Sequence, residues 1–139
     1  MLTNFEPGTY LAFELSERCR SHLLSVFSPR FSKVICNHVT IEFNLNKENF
    51  NNYKKLLNPS QILRVYGYAK GDGIECLAVA VGDNVDRADG SFYHITMSLD
   101  HPRKPVDSNT LKDKVVGIRN MFRTLDSIKL EGNFKLLRK

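Results

Sequence analysis

The sequence predicts an α+β fold, and three observations carry that prediction. Apolar and polar residues alternate with period two in several separate runs, as half-buried strands require. One early run spaces its apolar residues for a helix face instead. A tight-turn signature, Lys70-Gly71-Asp72-Gly73, joins two of the strand-like runs into a β-hairpin, because Asp-Gly with a flanking glycine supplies positive φ.

The elements follow in order. Tyr10-Leu11-Ala12-Phe13-Glu14-Leu15 reads as a first strand after the turn pair Pro7-Gly8. Ser16 suits a helix cap, and Leu23, Leu24, Val26 and Phe27 give the next stretch an amphipathic face that Pro29 ends. A strand over about residues 34–43 comes next. The Asn-rich stretch 44–58 favours caps and turns, with a short helix around 50–57. Residues 61–68 and 74–81 form the hairpin, and 82–90 is an Asp- and Asn-rich loop. Residues 93–99 read as a strand, 100–107 as a Pro-rich loop, and 109–122 as a helix or helical turns. Alternation around Gly132 makes 127–138 one or two final strands. With no linker or low-complexity tract, residues 1–139 are expected to form a single domain.

At 139 residues the chain can bury a core without staples. No apolar run approaches the roughly 20 residues that span a bilayer, and the first residues lack the pattern of a signal peptide. A cytoplasmic, monomeric protein with no membrane partner is the expectation. Cys19, Cys36 and Cys76 are widely spaced with no Cys-x-x-Cys pair, which argues for packed, reduced thiols over a zinc site. The net charge of +5 mildly favours an anionic ligand.

One phrase occurs twice: Asn37-His38-Val39-Thr40-Ile41-Glu42-Phe43 and Tyr93-His94-Ile95-Thr96-Met97-Ser98-Leu99. On a strand, side chains two apart share a face. His38, Thr40 and Glu42 are thus expected on one face, and His94, Thr96 and Ser98 on another, with the apolar residues turned to a core. Each strand leaves a histidine and a hydroxyl toward solvent or a groove. Two imidazoles facing one groove make an acid–base pair: one takes a proton from water while the other protonates a leaving alkoxide. Thr40 and Thr96 can donate to the non-bridging oxygens of a phosphate. The pair needs no metal or cofactor, and the substrate implied is a phosphodiester or cyclic phosphate.

His-Val-Thr-Ile and His-Ile-Thr-Met resemble the paired His-x-Thr/Ser motifs of the 2H phosphoesterase superfamily, which includes LigT-like proteins and cyclic phosphodiesterases. The spacing, the preceding Gly71-Asp72-Gly73 and the trailing Lys104-Pro105-Val106-Asp107-Ser108-Asn109 most resemble its tRNA-ligase branch, over roughly residues 33–112. The resemblance implies two lobes of antiparallel sheet with outer helices around a central cleft. It implies His38 and His94 as catalytic residues and Thr40 and Thr96 as phosphate-binding ones. The partner implied is an RNA end with a 2′,3′-cyclic phosphate or, alternatively, a cyclic di- or oligonucleotide immune signal, as for a viral anti-defence factor in a host cytoplasm. A non-catalytic RNA- or nucleotide-binding module is the reading from another class.

Four further residues are candidates for substrate binding, each beside a plainer role. Lys104 can reach a phosphate or sit in solvent. Ser108 and Asn109 can line the cleft or cap the next helix. Tyr10 can stack on a base or belong to the core. His22, in the predicted helix, and His101, before a proline, lack the strand context and are read as structural or exposed. The basic C-terminal region, including Arg119, Arg123, Lys129 and Lys135, reads as a solvated face.

Overall fold

A computed structural model describes residues 9–42, 62–87, 89–120 and 127–138. The predicted helix at 50–57 lies outside them. In chain order the elements are β1 (Thr9–Leu15), α1 (Glu17–Val26), β2 (Lys33–Val34), β3 (His38–Glu42), β4 (Leu63–Gly71), β5 (Ile74–Val81) and β6 (His94–Leu99). A succession of 3-10 turns over Pro105–Lys114 follows, then β7 (Val116–Gly117), a 3-10 turn at Ile118–Asn120, β8 (Ile128–Lys129) and β9 (Gly132–Arg138). The architecture is α+β with two antiparallel sheets. The smaller has the order β3-β1-β9, and the larger β2-β6-β5-β4-β7, with β8 also on β4.

Local chemistry explains most of these elements. Ser16 has extended backbone, and its Oγ accepts the Cys19 N–H at 3.1 Å, satisfying a donor the helix start would orphan. Cys19, Leu23 and Phe27, four apart, form the buried face of α1. That face joins Leu11, Phe13, Val39, Ile41, Leu77, Ile95 and Met97 from both sheets in one core. Each such aliphatic or aromatic side chain contributes about 1.5–3 kcal/mol by leaving water. The β4–β5 hairpin turns where predicted, with Gly73 at φ 72°.

The expected strand over 34–43 is divided. Ile35 and Cys36 still donate their N–H groups to the Met97 and Thr96 carbonyls of β6, each at 2.8 Å. Cys36 then takes φ 43°, and Leu15 N–H donates to the Asn37 carbonyl at 2.9 Å. The chain therefore leaves the large sheet at Cys36 and joins the small one at Asn37. A left-handed conformation at a residue with a side chain costs about 1–2 kcal/mol, so packing on both sides must hold it. The chain crosses again at its end: Leu130 N–H donates to the Leu63 carbonyl at 2.8 Å, and Ser16 N–H to Glu131 at 2.9 Å, before β9 begins.

Both motif strands depart from simple alternation directly after their threonine. In β3, Thr40 pairs with Ala12 and Glu42 with Leu11, leaving Ile41 as an extra residue. In β6, Thr96 pairs with Cys76 and Ser98 with Glu75, leaving Met97 extra. Such bulges reverse which face later residues occupy. Ser98 accordingly leaves the His94–Thr96 face, and its hydroxyl donates to the buried Glu75 carboxylate. Leu99 turns to a second apolar cluster with Ile74, Cys76, Phe92 and Leu111. Glu42 likewise leaves the His38–Thr40 face, and its charge is felt by Tyr93.

The stretch expected as a helix or helical turns over 109–122 begins earlier, at Pro105, and takes the form of 3-10 turns over Pro105–Lys114. Its buried residues, Ser108 and Leu111, are three apart, the repeat of a 3-10 turn. It covers one face of the large sheet, so all of β6 is buried, including the polar side chains expected at solvent or a groove.

Gly132 is required where β9 meets β1, because a Cβ there would collide with the Glu14 carbonyl. Gly132→Ala is expected to lower stability by about 2–3 kcal/mol through overpacking. A fall in the urea midpoint with unchanged slope checks this.

Candidate functional site

β3 and β6 face each other from different sheets, and a cavity of about 610 Å³ opens between them. His38 and Thr40 line it from β3, Tyr10 from β1, and His94 and Thr96 from β6. Ile35 and Asn37 contribute from the crossover, and Lys104, Pro105, Val106 and Asn109 from the 3-10 segment. Of the residues singled out in the sequence, Ser108 is outside the cavity. His22 and His101 are exposed elsewhere.

His94 is held from behind. Its Nδ1 lies 2.9 Å from the Phe92 carbonyl, which can only accept, so Nδ1 carries the hydrogen and neutral Nε2 keeps its lone pair. The Phe92 ring packs at 4.7 Å from the imidazole. Burial pushes the His94 pKa down to about 4; the Phe92 hydrogen bond opposes this, while the charges of Arg87 and His38 add to it.

His38 is held differently. Its Nδ1 is 2.6 Å from Asn37 Oδ1, and the Tyr10 ring is 6.1 Å away, tilted. Burial lowers its pKa too, but Glu14, its register partner on β1, acts in the opposite sense. Glu14 is also paired with Lys135 at 2.6 Å. The two histidines thus differ: His94 is the more buried and sits beside a cation, and His38 is half-exposed and sits beside a carboxylate.

The threonines are also unequal. Thr40 is buried, and its hydroxyl makes no hydrogen bond to another described residue. Thr96 Oγ1 donates to the Pro105 carbonyl at 3.2 Å and shares a 2.8 Å bond with Ser108 Oγ. Ser108 is fully buried, so its expected place lining the cleft is corrected. Nor does it cap a helix: the three-residue repeat of Pro105–Lys114 turns it inward, behind Thr96.

Asn109 does line the cavity. Its Oδ1 accepts from Arg87 Nη2 at 2.9 Å and from Ser91 Oγ at 2.7 Å. Lys104 is exposed at the rim, with its backbone N–H bonded to Asp107 Oδ2 at 2.9 Å.

Sequence reasoning missed Arg87 and Asn37. Arg87 is buried and ion-paired with Asp89 at 2.9 Å. Its sequence signal was a lone cation inside an acidic, Asn-containing loop. Asn37 stands directly before His38, where the second phrase has Tyr93. That difference between otherwise matching phrases was the available clue.

Among the described residues no group of three or more His, Cys, Asp or Glu side chains could hold a metal ion. Cys19, Cys36 and Cys76 are buried free thiols, and burial raises Cys36 to about 11 and Cys76 to about 12. No helix among these residues is long and apolar enough to cross a membrane.

The fold is similar to that of a fungal RNA kinase. Its crystal structure matches 99% of this chain and 47% of its own, with a TM-score of 0.54 and 12% sequence identity. The likeness is one of fold, and the chain spans about half the length of that protein. No family model and no curated protein matches the chain.

The state of His94 has a consequence for stability. Between its ordinary value of 6.5 and about 4, the unfolded chain takes up a proton there that the folded chain refuses. Stability therefore falls as pH is lowered through that window, by roughly 3 kcal/mol in full. His94→Gln should remove this share of the slope, as urea midpoints measured from pH 4 to 7 will show.

Proposed function

We propose that the chain is a metal-independent phosphodiesterase of the 2H type, hydrolysing a 2′,3′-cyclic phosphate at an RNA or nucleotide end. The observation that carries this reading is the pair of histidines, delivered by two sheets to one cavity, each with Nδ1 tied back. Either ring can then turn Nε2 to a ligand without a change of tautomer. The likeness in fold to a fungal RNA kinase is in keeping with chemistry at RNA ends.

The asymmetry of the pair supports one division of roles. His94, neutral near pH 7, accepts a proton from water through Nε2 as the water oxygen bonds to phosphorus. Burial holds the His38 pKa below 6.5, but Glu14 beside it opposes that. A bound phosphate anion would add to the Glu14 effect, so His38 is the ring that the ligand can charge. His38 protonates the ribose oxygen as the phosphorus–oxygen bond to that oxygen breaks. The cyclic diester becomes a phosphate monoester with one free hydroxyl. Thr40 donates to a non-bridging oxygen, and Lys104 at the rim attracts the anion.

The test is turnover of a 2′,3′-cyclic-phosphate RNA, with cyclic di- and oligonucleotides assayed in parallel, all in EDTA. His38→Ala and His94→Ala should each lose about 10²–10⁴-fold in rate, the usual worth of a general acid or base. Thr40→Ala should lose less. Rate against pH should be bell-shaped, since one ring must be neutral and the other charged. Inactivity of the wild-type protein on every cyclic phosphate, with RNA still bound, would leave the binding-module reading standing instead. Loss of activity in EDTA, restored by zinc, would remove the metal-free mechanism.

A further inference from the structure

We infer that the donor facing the ligand from the β6 side of the cavity is the Asn109 side-chain amide, oriented by Arg87, rather than the Thr96 hydroxyl; this rests on the phosphate-binding reading above.

The doubled His-x-Thr phrase suggests that the walls serve a ligand alike, each with one histidine and one hydroxyl. The hydrogen bonds differ. Thr96 has one hydroxyl hydrogen, and it is already engaged: it is donated to the Pro105 carbonyl at 3.2 Å, and the 2.8 Å bond to Ser108 Oγ, which either hydroxyl can donate, occupies the same oxygen. Thr40, across the cavity, is not so engaged among the described residues. A ligand oxygen would therefore find a ready donor on the β3 side and an engaged one on the β6 side.

Asn109 fills that deficit. Its Oδ1 accepts from the Arg87 guanidinium and from the Ser91 hydroxyl, so the amide can sit only one way round. Both acceptor sites of that oxygen are used. The amide nitrogen has no hydrogen-bond partner among the described residues, and the side chain lines the cavity beside His94 and Thr96. Asn109 thus offers the cavity hydrogens only, which suits an oxygen-rich anion.

The orientation is built with some redundancy. Arg87 is buried and held by Asp89 at 2.9 Å. The loop carrying it is fastened to the 3-10 segment by Lys112, which donates to the Gly90 carbonyl at 2.9 Å and pairs with Asp86 at 3.3 Å. A guanidinium donating to Oδ1 also polarises the amide and strengthens its N–H donors. Arg87 is a positioning residue in this scheme, acting through Asn109.

Asn109→Asp is the informative substitution. A carboxylate keeps both bonds to Arg87 and Ser91 and nearly the same shape, yet it removes the donor and sets a negative charge toward the anion. Affinity for a nucleoside 2′-monophosphate, measured by calorimetry, should fall about 10- to 100-fold, the range for a hydrogen bond to a charged group. Thr96→Val should weaken binding several-fold less. In the wild-type protein, the side-chain amide resonances of Asn109 should shift as this nucleotide is titrated, a readout that does not depend on how any variant folds. Near-native affinity in Asn109→Asp, or unmoved amide resonances in a protein that binds the nucleotide, would overturn this inference alone. No binding by the wild-type protein would overturn it together with the phosphate-binding reading.

Discussion

Everything in the cavity depends on how one short segment is shared between two sheets. Ile35 and Cys36 hydrogen-bond to β6, and Asn37, one residue later, hydrogen-bonds to β1. The backbone can change partners that abruptly only because Cys36 adopts a left-handed φ. The step fixes β3 beside β6 although no ladder joins them. It also sets His38 at the first position of its strand, opposite Glu14 and facing His94.

The bulges at Ile41 and Met97 have a related effect. Without them Glu42 and Ser98 would continue the polar faces begun by His38 and His94. A carboxylate would then stand on the cavity wall, where its charge would oppose the phosphate ligand proposed above. The bulge in β6 instead sends Ser98 to Glu75, whose carboxylate also accepts from Arg30 N–H at 2.8 Å and from Tyr68 hydroxyl at 2.6 Å. Three donors around one buried carboxylate offset its desolvation and fasten the segment after α1 to the large sheet. The deviation that clears the cavity also supplies the sheet with an anchor.

Much of this was legible from residues alone. The first strand, the Ser16 cap, the hairpin at Asp72-Gly73 and the second motif strand all rest on local chemistry, and local chemistry is written in sequence. The break at Cys36 was not legible, because nothing in residues 34–43 forbids a continuous strand. The start of the 3-10 segment at Pro105, ahead of the helical turns expected from residue 109, was not legible either, because the burial of Ser108 and Leu111 depends on the sheet beneath them. Arg87 gave no periodic signal at all; its importance comes from what the fold sets around it.

The sequence by itself determined that two histidine–hydroxyl pairs exist, each on a strand with an apolar reverse face. Side-chain period and hydrophobicity are intrinsic to the chain, so they needed no partner to be read. Only the tertiary structure decided that these pairs are unequal. One histidine lies beside Glu14 and the other near Arg87; one threonine makes no hydrogen bond among the described residues and the other is engaged by Ser108. Electrostatic environment and hydrogen-bond competition arise from residues distant in the chain, and packing alone brings those together.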